Sequence, residues 1–333
     1  MNGKKTGLQA GSHYIHPRGT VLEELVKIML QSGKSGLDLA LYTLLPVLVI
    51  MMAIMRVIEA RGILALIARA LQPALRVFGI PGAGVFAILQ MLLVSFAAPL
   101  ATLTIMEKDG TSRRHIAATL AMIMTLSQAN VVFPMVAAGL NLGVIMMTSI
   151  VGGLAAAALT YYVFARSAGD ERPLSAEYVP VSEKARKTTT LNLMILGGQE
   201  AVQVILATVP MLVLAIFLVN ILKLTGAISL LETLLTPLFR LIGFPVVAVL
   251  PLATKYLAGG TAMMGVTLNL LKEGAITVPE LNRMAGFITN PCDLVGVAVL
   301  ISAGTRCASV VRPAIAGTVA GVLIRGVLHL LIF

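Results

Sequence analysis

The chain has 333 residues, of which 58% are hydrophobic and only 12% are charged, and its mean hydropathy is +0.94. A soluble domain carries about 25% charged residues, so a chain this apolar could not cover a water-exposed surface. The net charge of +10 is explained by Lys and Arg in cytoplasmic loops rather than by nucleic-acid binding. We therefore predict an all-α polytopic membrane protein that binds no nucleic acid and is not an enzyme.

Residues 1–36 are predicted to form a polar tail that includes an amphipathic surface helix over residues 20–30. Glu23, Glu24 and Lys27 lie on the polar side of that helix, as in helices that lie on a membrane. The first long apolar stretch starts at Leu37.

The rest of the chain contains an internal repeat, because shifting the sequence by 164 positions aligns its Pro, Gly and Arg residues. Such matches carry weight because these residues determine backbone breaks and charge positions. The matched pairs are Pro46 with Pro210, Gly62 with Gly226, Pro73 with Pro237, Arg76 with Arg240, Gly79 with Gly243, and Pro81 with Pro245.

Each copy is predicted to have about four spans plus one short broken hairpin or interfacial helix. The first span has about 20 residues, which is enough to cross the hydrocarbon. The short segment after it holds a proline and charges, which makes it a poor lipid-facing span. The predicted spans of copy one are 37–58, 81–106, 116–138 and 142–165, and those of copy two are 201–222, 245–271, 284–302 and 310–331.

The predicted organisation is a first repeat over 37–165, a polar linker over 166–195 and a second repeat over 196–333. The relative orientation of the two repeats stays open. Four crossings per copy would make them parallel and place all the basic segments in the cytoplasm. A fifth crossing by the short segment would invert the second copy.

Repeated membrane halves bind solutes near the midplane, where helices at corresponding positions are interrupted. The second span is interrupted around Ser95 in copy one and at Gly259, Gly260 and Thr261 in copy two. A proline or a glycine pair leaves carbonyl groups free for a cation or a polar ligand. We predict that these four residues contribute to a binding site.

The third span carries a second pair of interruptions, which are rich in polar residues. Ser127, Gln128 and Asn130 lie in copy one, and Asn290 lies in copy two. Single polar residues in membrane helices often only bond to a neighbouring helix, but helix packing does not need so many within one turn. We include all four in the predicted site.

Asp293 follows directly and is the most informative single residue. A carboxylate deep in a membrane costs about 2.5–3.5 kcal/mol on insertion scales and marks a candidate functional group. Lys255, in the second span, is its predicted ion-pair partner. Two roles stay open for Asp293, namely binding a coupling Na⁺ or proton, and forming half of a structural ion pair.

The two short segments supply a predicted hinge or gate, formed by Pro73 and Arg76 in copy one and by Pro237 and Arg240 in copy two. The sequence shows no phosphate-binding glycine loop, no metal-ligand spacing and no nucleophile–base pair, so we predict no catalytic residues, no metal and no cofactor.

The stretches 71–81 and 235–245 resemble the proline–arginine–glycine–proline signature of the nucleoside recognition (Gate) domain family. That family includes spore maturation A and B proteins, the membrane core of ferrous iron transporter B, and concentrative nucleoside transporters. The resemblance implies two fused Gate domains in a bacterial cytoplasmic (inner) membrane. Nucleoside transporters of this kind carry Asn-Glu-Phe in the span after the signature, where this chain has Thr254-Lys255-Tyr256, so the resemblance does not identify a substrate.

Two functional hypotheses follow from the repeat and the resemblance. The first is a secondary transporter of a small polar solute, coupled to Na⁺ or H⁺, with its site between the repeats near the midplane. The second is a non-transporting membrane scaffold or regulatory partner of the spore-maturation type. Besides the lipid bilayer, a homo-oligomer or another membrane protein stays open as a partner.

Overall fold

The computed structural model describes residues 21–168, 188–241 and 243–333, and within these ranges the regular structure is helical. The remaining parts of the predicted tail and linker lie outside the described residues. The helices of the first copy are α1 (Val21–Asp38), α2 (Leu45–Ala60), α3 (Ile63–Arg76), α4 (Gly82–Leu93), α5 (Pro99–Lys108), α6 (Arg113–Thr125), α7 (Ala129–Ala137) and α8 (Leu142–Leu159), with π-helical turns at Leu39–Leu44 and Thr160–Phe164.

The second copy repeats this order with an additional short helix before the last one. Its helices are α9 (Thr190–Leu224), α10 (Ala227–Leu241), α11 (Val249–Lys272), α12 (Val278–Ile288), α13 (Leu294–Ile301), α14 (Thr305–Ser309) and α15 (Val311–Ile332). Left-handed glycines recur at the predicted spacing, at Gly62 and Gly226, Gly79 and Gly243, and Gly110 and Gly274. Glycine adopts this conformation without steric cost, so corresponding turns use the same backbone geometry.

The first span of each copy is longer than predicted. Helix α1 continues through the π-helical turn into α2, so residues 22–60 form one continuous helical stretch. The predicted amphipathic segment is its first part and not a separate helix. At about 1.5 Å per residue, this stretch is far longer than the hydrocarbon is thick. Helix α9 likewise begins at Thr190, inside the segment predicted as linker.

The short segment of each copy is one amphipathic helix, α3 or α10, with no break at its proline. Pro73 and Pro237 lie inside these helices. With 14 and 15 residues, each helix is about 21 Å long and too short to cross a bilayer of about 30 Å. The interfacial alternative of the prediction therefore describes these helices, and the broken-hairpin alternative does not.

The predicted second span is not a single crossing. In copy one it consists of two short helices, α4 and α5, that pack against each other. The hydroxyl of Thr102 donates to Gln90 Oε1 at 2.7 Å. Both residues are the same number of positions along the chain from Phe96, which lies at the turn. In copy two, Gly259 (φ 86°, ψ 174°) interrupts α11. The turn at Phe96 returns the chain to the face it entered from, as a re-entrant hairpin.

The two copies run in opposite directions. Asn141, which follows α7, donates its backbone N–H to Asn282 near the start of α12 (2.8 Å). At the other end, the Arg306 guanidinium donates to the carbonyl of Thr111, just before α6 (3.2 Å). The equivalent spans α6–α7 and α12–α13 are thus antiparallel. If the predicted second span is re-entrant, each copy crosses the membrane three times. An odd number of crossings in the first copy inverts the second copy.

The base of the first hairpin is attached to the second copy through Glu107. Its carboxylate accepts hydrogen bonds from the backbone N–H groups of Arg306 and Cys307 and from the Thr305 hydroxyl, at 2.9–3.2 Å. Burial alone would raise the pKa of Glu107, but these hydrogen bonds and the Arg306 charge lower it below its ordinary value. Burial, with the charge of Glu107, raises the pKa of the Cys307 thiol to about 12.

This attachment predicts a pH-dependent stability. Because folding lowers the pKa of Glu107, its carboxylate stabilises the folded protein above the ordinary pKa of about 4.3, and this contribution is lost as the pH falls through the folded pKa. We expect Glu107→Gln to lower the melting temperature at neutral pH and to differ less from wild type below about pH 4. The control is Asp109→Asn, at the exposed C-cap of the same helix, α5. A pH-independent difference for Glu107→Gln would contradict the prediction.

Candidate functional site

The helix breaks of both copies meet at one place in the protein. The N–H of Phe96, at the tip of the first hairpin, donates to Asn130 Oδ1 (3.3 Å). The N–H of Gln128 donates to the carbonyl of Thr289 (3.1 Å), which joins the breaks of the two third spans. Beside these contacts lies a cavity of about 50 Å³. It is lined by Phe96, Gln128, Ala258, Gly259, Gly260, Thr261, Asp293, Val295 and Gly296.

Asp293 and Lys255 form the predicted ion pair. The Lys255 ammonium donates to Asp293 Oδ2, and the exposed fractions of the two side chains are 0% and 2%. The other oxygen, Oδ1, accepts the backbone N–H of Gly296 (2.7 Å) and so caps α13. Each carboxylate oxygen therefore has a protein partner in this conformation.

Gln128 supplies a neutral polar group to the cavity. Its side-chain amide faces Gly260 so closely that a Cβ placed on Gly260 would lie 2.9 Å from Gln128 Nε2. A side chain at Gly260 would therefore displace the Gln128 amide, and the positive φ of Gly259 (86°) is a backbone conformation that favours glycine. Gln128 also precedes α7, as Asp293 precedes α13, so two helix N-termini, which favour negative charge, lie at the cavity.

Five predicted site residues do not line the cavity, and one of them is Lys255, which bonds to the lining residue Asp293. Asn130 holds the hairpin tip, and the Ser95 hydroxyl accepts the N–H of Ala98 within that tip (3.3 Å). Asn290 bonds within its own turn, to Phe287 and Cys292. Ser127 bonds instead to a separate buried polar cluster, described below.

The predicted gate residues lie away from the cavity. Pro73 and Arg76 are exposed on α3, and Pro237 and Arg240 are exposed on α10. None of the four lines the cavity. A gating role for these residues stays a prediction.

The prediction from sequence missed Arg325, a third buried charge. Arg325 lies within α15 and has an exposed fraction of 0%. Its guanidinium donates to the Thr125 carbonyl, to Ser127 Oγ (2.7 Å) and to Thr289 Oγ1 (2.7 Å). An arginine inside the predicted last span of copy two, 310–331, was the available signal. It shows that Asp293 and Lys255 are not the only charges inside the membrane domain.

A larger cavity of about 360 Å³ lies elsewhere, between the π-helical turn after α1 and the end of α11. Its wall contains Ser35, Asp38, Leu39, Tyr42, Thr43, Asn269 and Lys272. None of the predicted site residues lines this larger cavity. Its position at the end of α11 places it beside the charged loop rather than among the helix breaks.

Comparison with known proteins supports the fold. Residues 41–143 match the family model of the Gate domain, described as nucleoside recognition, which confirms the resemblance seen in the signature. The chain is also 29% identical over 110 residues to spore maturation protein B of Bacillus subtilis (strain 168). That match covers 32% of this chain and only 60% of the length of that relative.

Solved structures of the nucleoside transporter CNTnw have the same overall fold. A variant in an outward-facing state superposes with a TM-score of 0.65 at 16% identity, covering 93% of this chain and 84% of that one. An inward-facing, substrate-bound state gives a TM-score of 0.64 at 16% identity, covering 92% and 83%. Within the described residues, five helices are long and apolar enough to cross a membrane. The chain is thus an integral membrane protein with the overall fold of CNTnw.

Proposed function

We propose that this protein is a secondary transporter of a small polar solute, coupled to an ion or to protons, in a bacterial cytoplasmic membrane. The observation that carries the proposal is the meeting of helix breaks from two inverted copies at one cavity. Transporters built from inverted repeats bind substrate and coupling ion at such breaks, near the midplane. The Gate match and the CNTnw fold are consistent with this assignment.

The cavity chemistry suits a small polar group. Asp293 carries charge, the Gln128 amide can both donate and accept, and the hydroxyl of Thr261 adds a third polar group. The cavity volume of about 50 Å³ is far below the roughly 300–1,000 Å³ of typical ligand pockets. We infer that this conformation is closed and that a solute enters when the segments that end at Phe96 and Gly259 move apart.

Uptake into liposomes tests the proposal. Purified protein in proteoliposomes should accumulate a labelled polar solute, with uridine and adenosine as the first probes because of the Gate match. We expect Asp293→Asn to reduce this uptake by at least tenfold, since the variant leaves the Lys255 ammonium without its carboxylate. Asparagine still caps a helix, so the cap on α13 is retained.

Two controls make the result interpretable. Asp109→Asn removes one carboxylate from an exposed loop and should transport like wild type. Only variants that elute as a single folded species are compared, so that loss of uptake is not loss of protein. Uptake by Asp293→Asn at the wild-type rate would remove Asp293 from the mechanism.

The second candidate function is a scaffold or regulatory partner that transports nothing, as the similarity to spore maturation protein B allows. One observation favours it, namely that both oxygens of Asp293 already have protein partners. In that case the pair is structural, and the neutral double variant Asp293→Asn with Lys255→Met, which keeps a cap on α13, should preserve both stability and the cellular function. A folded but inactive double variant would contradict this alternative.

A further inference from the structure

The two broken third spans, α6–α7 and α12–α13, cross each other at their breaks, and we call this place the crossing. A positively charged side chain of the protein itself, Arg325, lies there. Helix α6 ends at Thr125 and α12 ends at Ile288, with Thr289 as its C-cap. Thr125 and Thr289 are equivalent residues of the two copies. The Arg325 guanidinium lies between them and bonds to both.

The partners of Arg325 are all neutral oxygens. The Thr289 hydroxyl donates its hydrogen to the carbonyl of Ala285, so its oxygen can accept from Arg325. Ser127 Oγ lies 2.7 Å from Ser149 Oγ and 3.0 Å from Thr289 Oγ1, which closes the hydroxyl cluster. Among the described residues, no carboxylate lies within ion-pairing distance of Arg325.

Helix dipoles provide the missing negative charge. Each helix C-terminus is equivalent to roughly −0.5 elementary charge. The ends of α6 and α12 together supply about one negative charge, which matches one guanidinium. Arginine stays protonated in proteins, so the crossing contains a permanent cation without a carboxylate.

Transporters with broken helices use the same elements, namely half-helix C-termini and unwound backbone oxygens, to coordinate a coupling cation. We propose that Arg325 is a tethered cation that fills such a site permanently, so that this crossing binds no Na⁺. The coupling consequence rests on the proposed function: Na⁺ at this crossing cannot drive transport. The structural role of Arg325 does not depend on transport.

Chemical rescue tests the tethered cation. Arg325→Ala removes the guanidinium and leaves a hole lined by its former partners. We expect the variant to melt at a lower temperature than wild type and to regain stability, in a saturable way, with millimolar guanidinium chloride, because a ligand that binds only the folded state stabilises it. Urea, which has the same planar shape without the charge, and choline chloride should not rescue it, and wild type should show no gain.

Equal effects of guanidinium and urea on Arg325→Ala, or an unchanged melting temperature, would overturn the inference. If Arg325→Ala does not fold, Arg325→Lys and Arg325→Met are compared by the fraction recovered as a single folded species. If the position needs a cation, Arg325→Lys should give more folded protein than Arg325→Met. Equal or better recovery of Arg325→Met would show that the position needs only packing.

The coupling consequence has its own readout. Any dependence of uptake on Na⁺ must then arise at another site, so it should be the same in wild type and in Arg325→Lys, which keeps a cation beside Thr125 and Thr289. A Na⁺ dependence that differs between these two proteins would contradict the coupling consequence. Absence of uptake in every condition, together with specific rescue by guanidinium, would refute the proposed transport while supporting the tethered cation. The two failures are therefore distinguishable.

Discussion

Asp293→Asn and Lys255→Met should each lower the free energy of unfolding by about 3–5 kcal/mol, the usual cost of removing one partner of a buried ion pair. Both side chains are shielded from solvent, so the remaining charge has no water to solvate it. The double variant removes both charges and keeps an asparagine cap on α13. We expect it to lie within about 1 kcal/mol of wild type, since neutral replacement of a buried pair is often tolerated.

Denaturation of the purified variants in detergent, analysed as a double-mutant cycle, measures this coupling. The control is Glu200→Gln, which breaks the half-exposed pair between Arg56 and Glu200 (3.1 Å) and should cost at most about 1 kcal/mol. Single variants of the buried pair that cost no more than this control would show that the pair is not coupled. The double variant also separates the two functions, because a stable double variant without uptake assigns the pair to transport.

The second large effect is expected where α2 and α9 cross. A Cβ on Gly197 would lie 2.5 Å from the carbonyl oxygen of Met52, whereas a Cβ on the adjacent Gly198 would meet Val49 at an ordinary 3.6 Å. A backbone oxygen cannot move aside as a side chain can. We therefore expect Gly197→Ala to separate the two helices and to be about 1–3 kcal/mol less stable than Gly198→Ala, because the gain in helix propensity is common to both variants and the overpacking is not.

Gly198→Ala is the matched control in the same helix. Alanine is favoured over glycine in a helix interior by about 1 kcal/mol, so this variant should be as stable as wild type or more stable. The comparison uses the same denaturation measurement for both variants. Equal stabilities of Gly197→Ala and Gly198→Ala would show that α2 and α9 do not approach as closely as the structure has them.

Much of the fold could be predicted because the informative residues act locally. Proline and glycine limit or extend backbone conformation wherever they occur, so their recurrence after 164 positions reports the repeat directly. The pairs Gly62 with Gly226 and Gly79 with Gly243, which all have a left-handed backbone, are examples of this recurrence. The ion pair of Asp293 with Lys255 was predictable for a related reason, because a membrane interior leaves a buried charge few partners.

The course of the second unit could not be predicted in this way. A stretch such as 81–106 is long and apolar enough for a single crossing or for two short helices that turn back. The choice depends on contacts across the turn, such as Thr102 with Gln90, and on the contact of the tip with Asn130. Once this unit does not cross, each copy has three crossings and the second copy must be inverted.

In the candidate site, the contacts of Arg325 are another feature that the sequence could not predict. By itself, the sequence determined the membrane class, the two copies, the positions of the breaks and one buried ion pair, because each depends on residue type and spacing. Only the tertiary structure decided the hairpin, the inversion and the position of Arg325. Two of its partners, Thr125 and Ser127, come from the other copy. Such contacts depend on how helices pack rather than on any local preference of the chain.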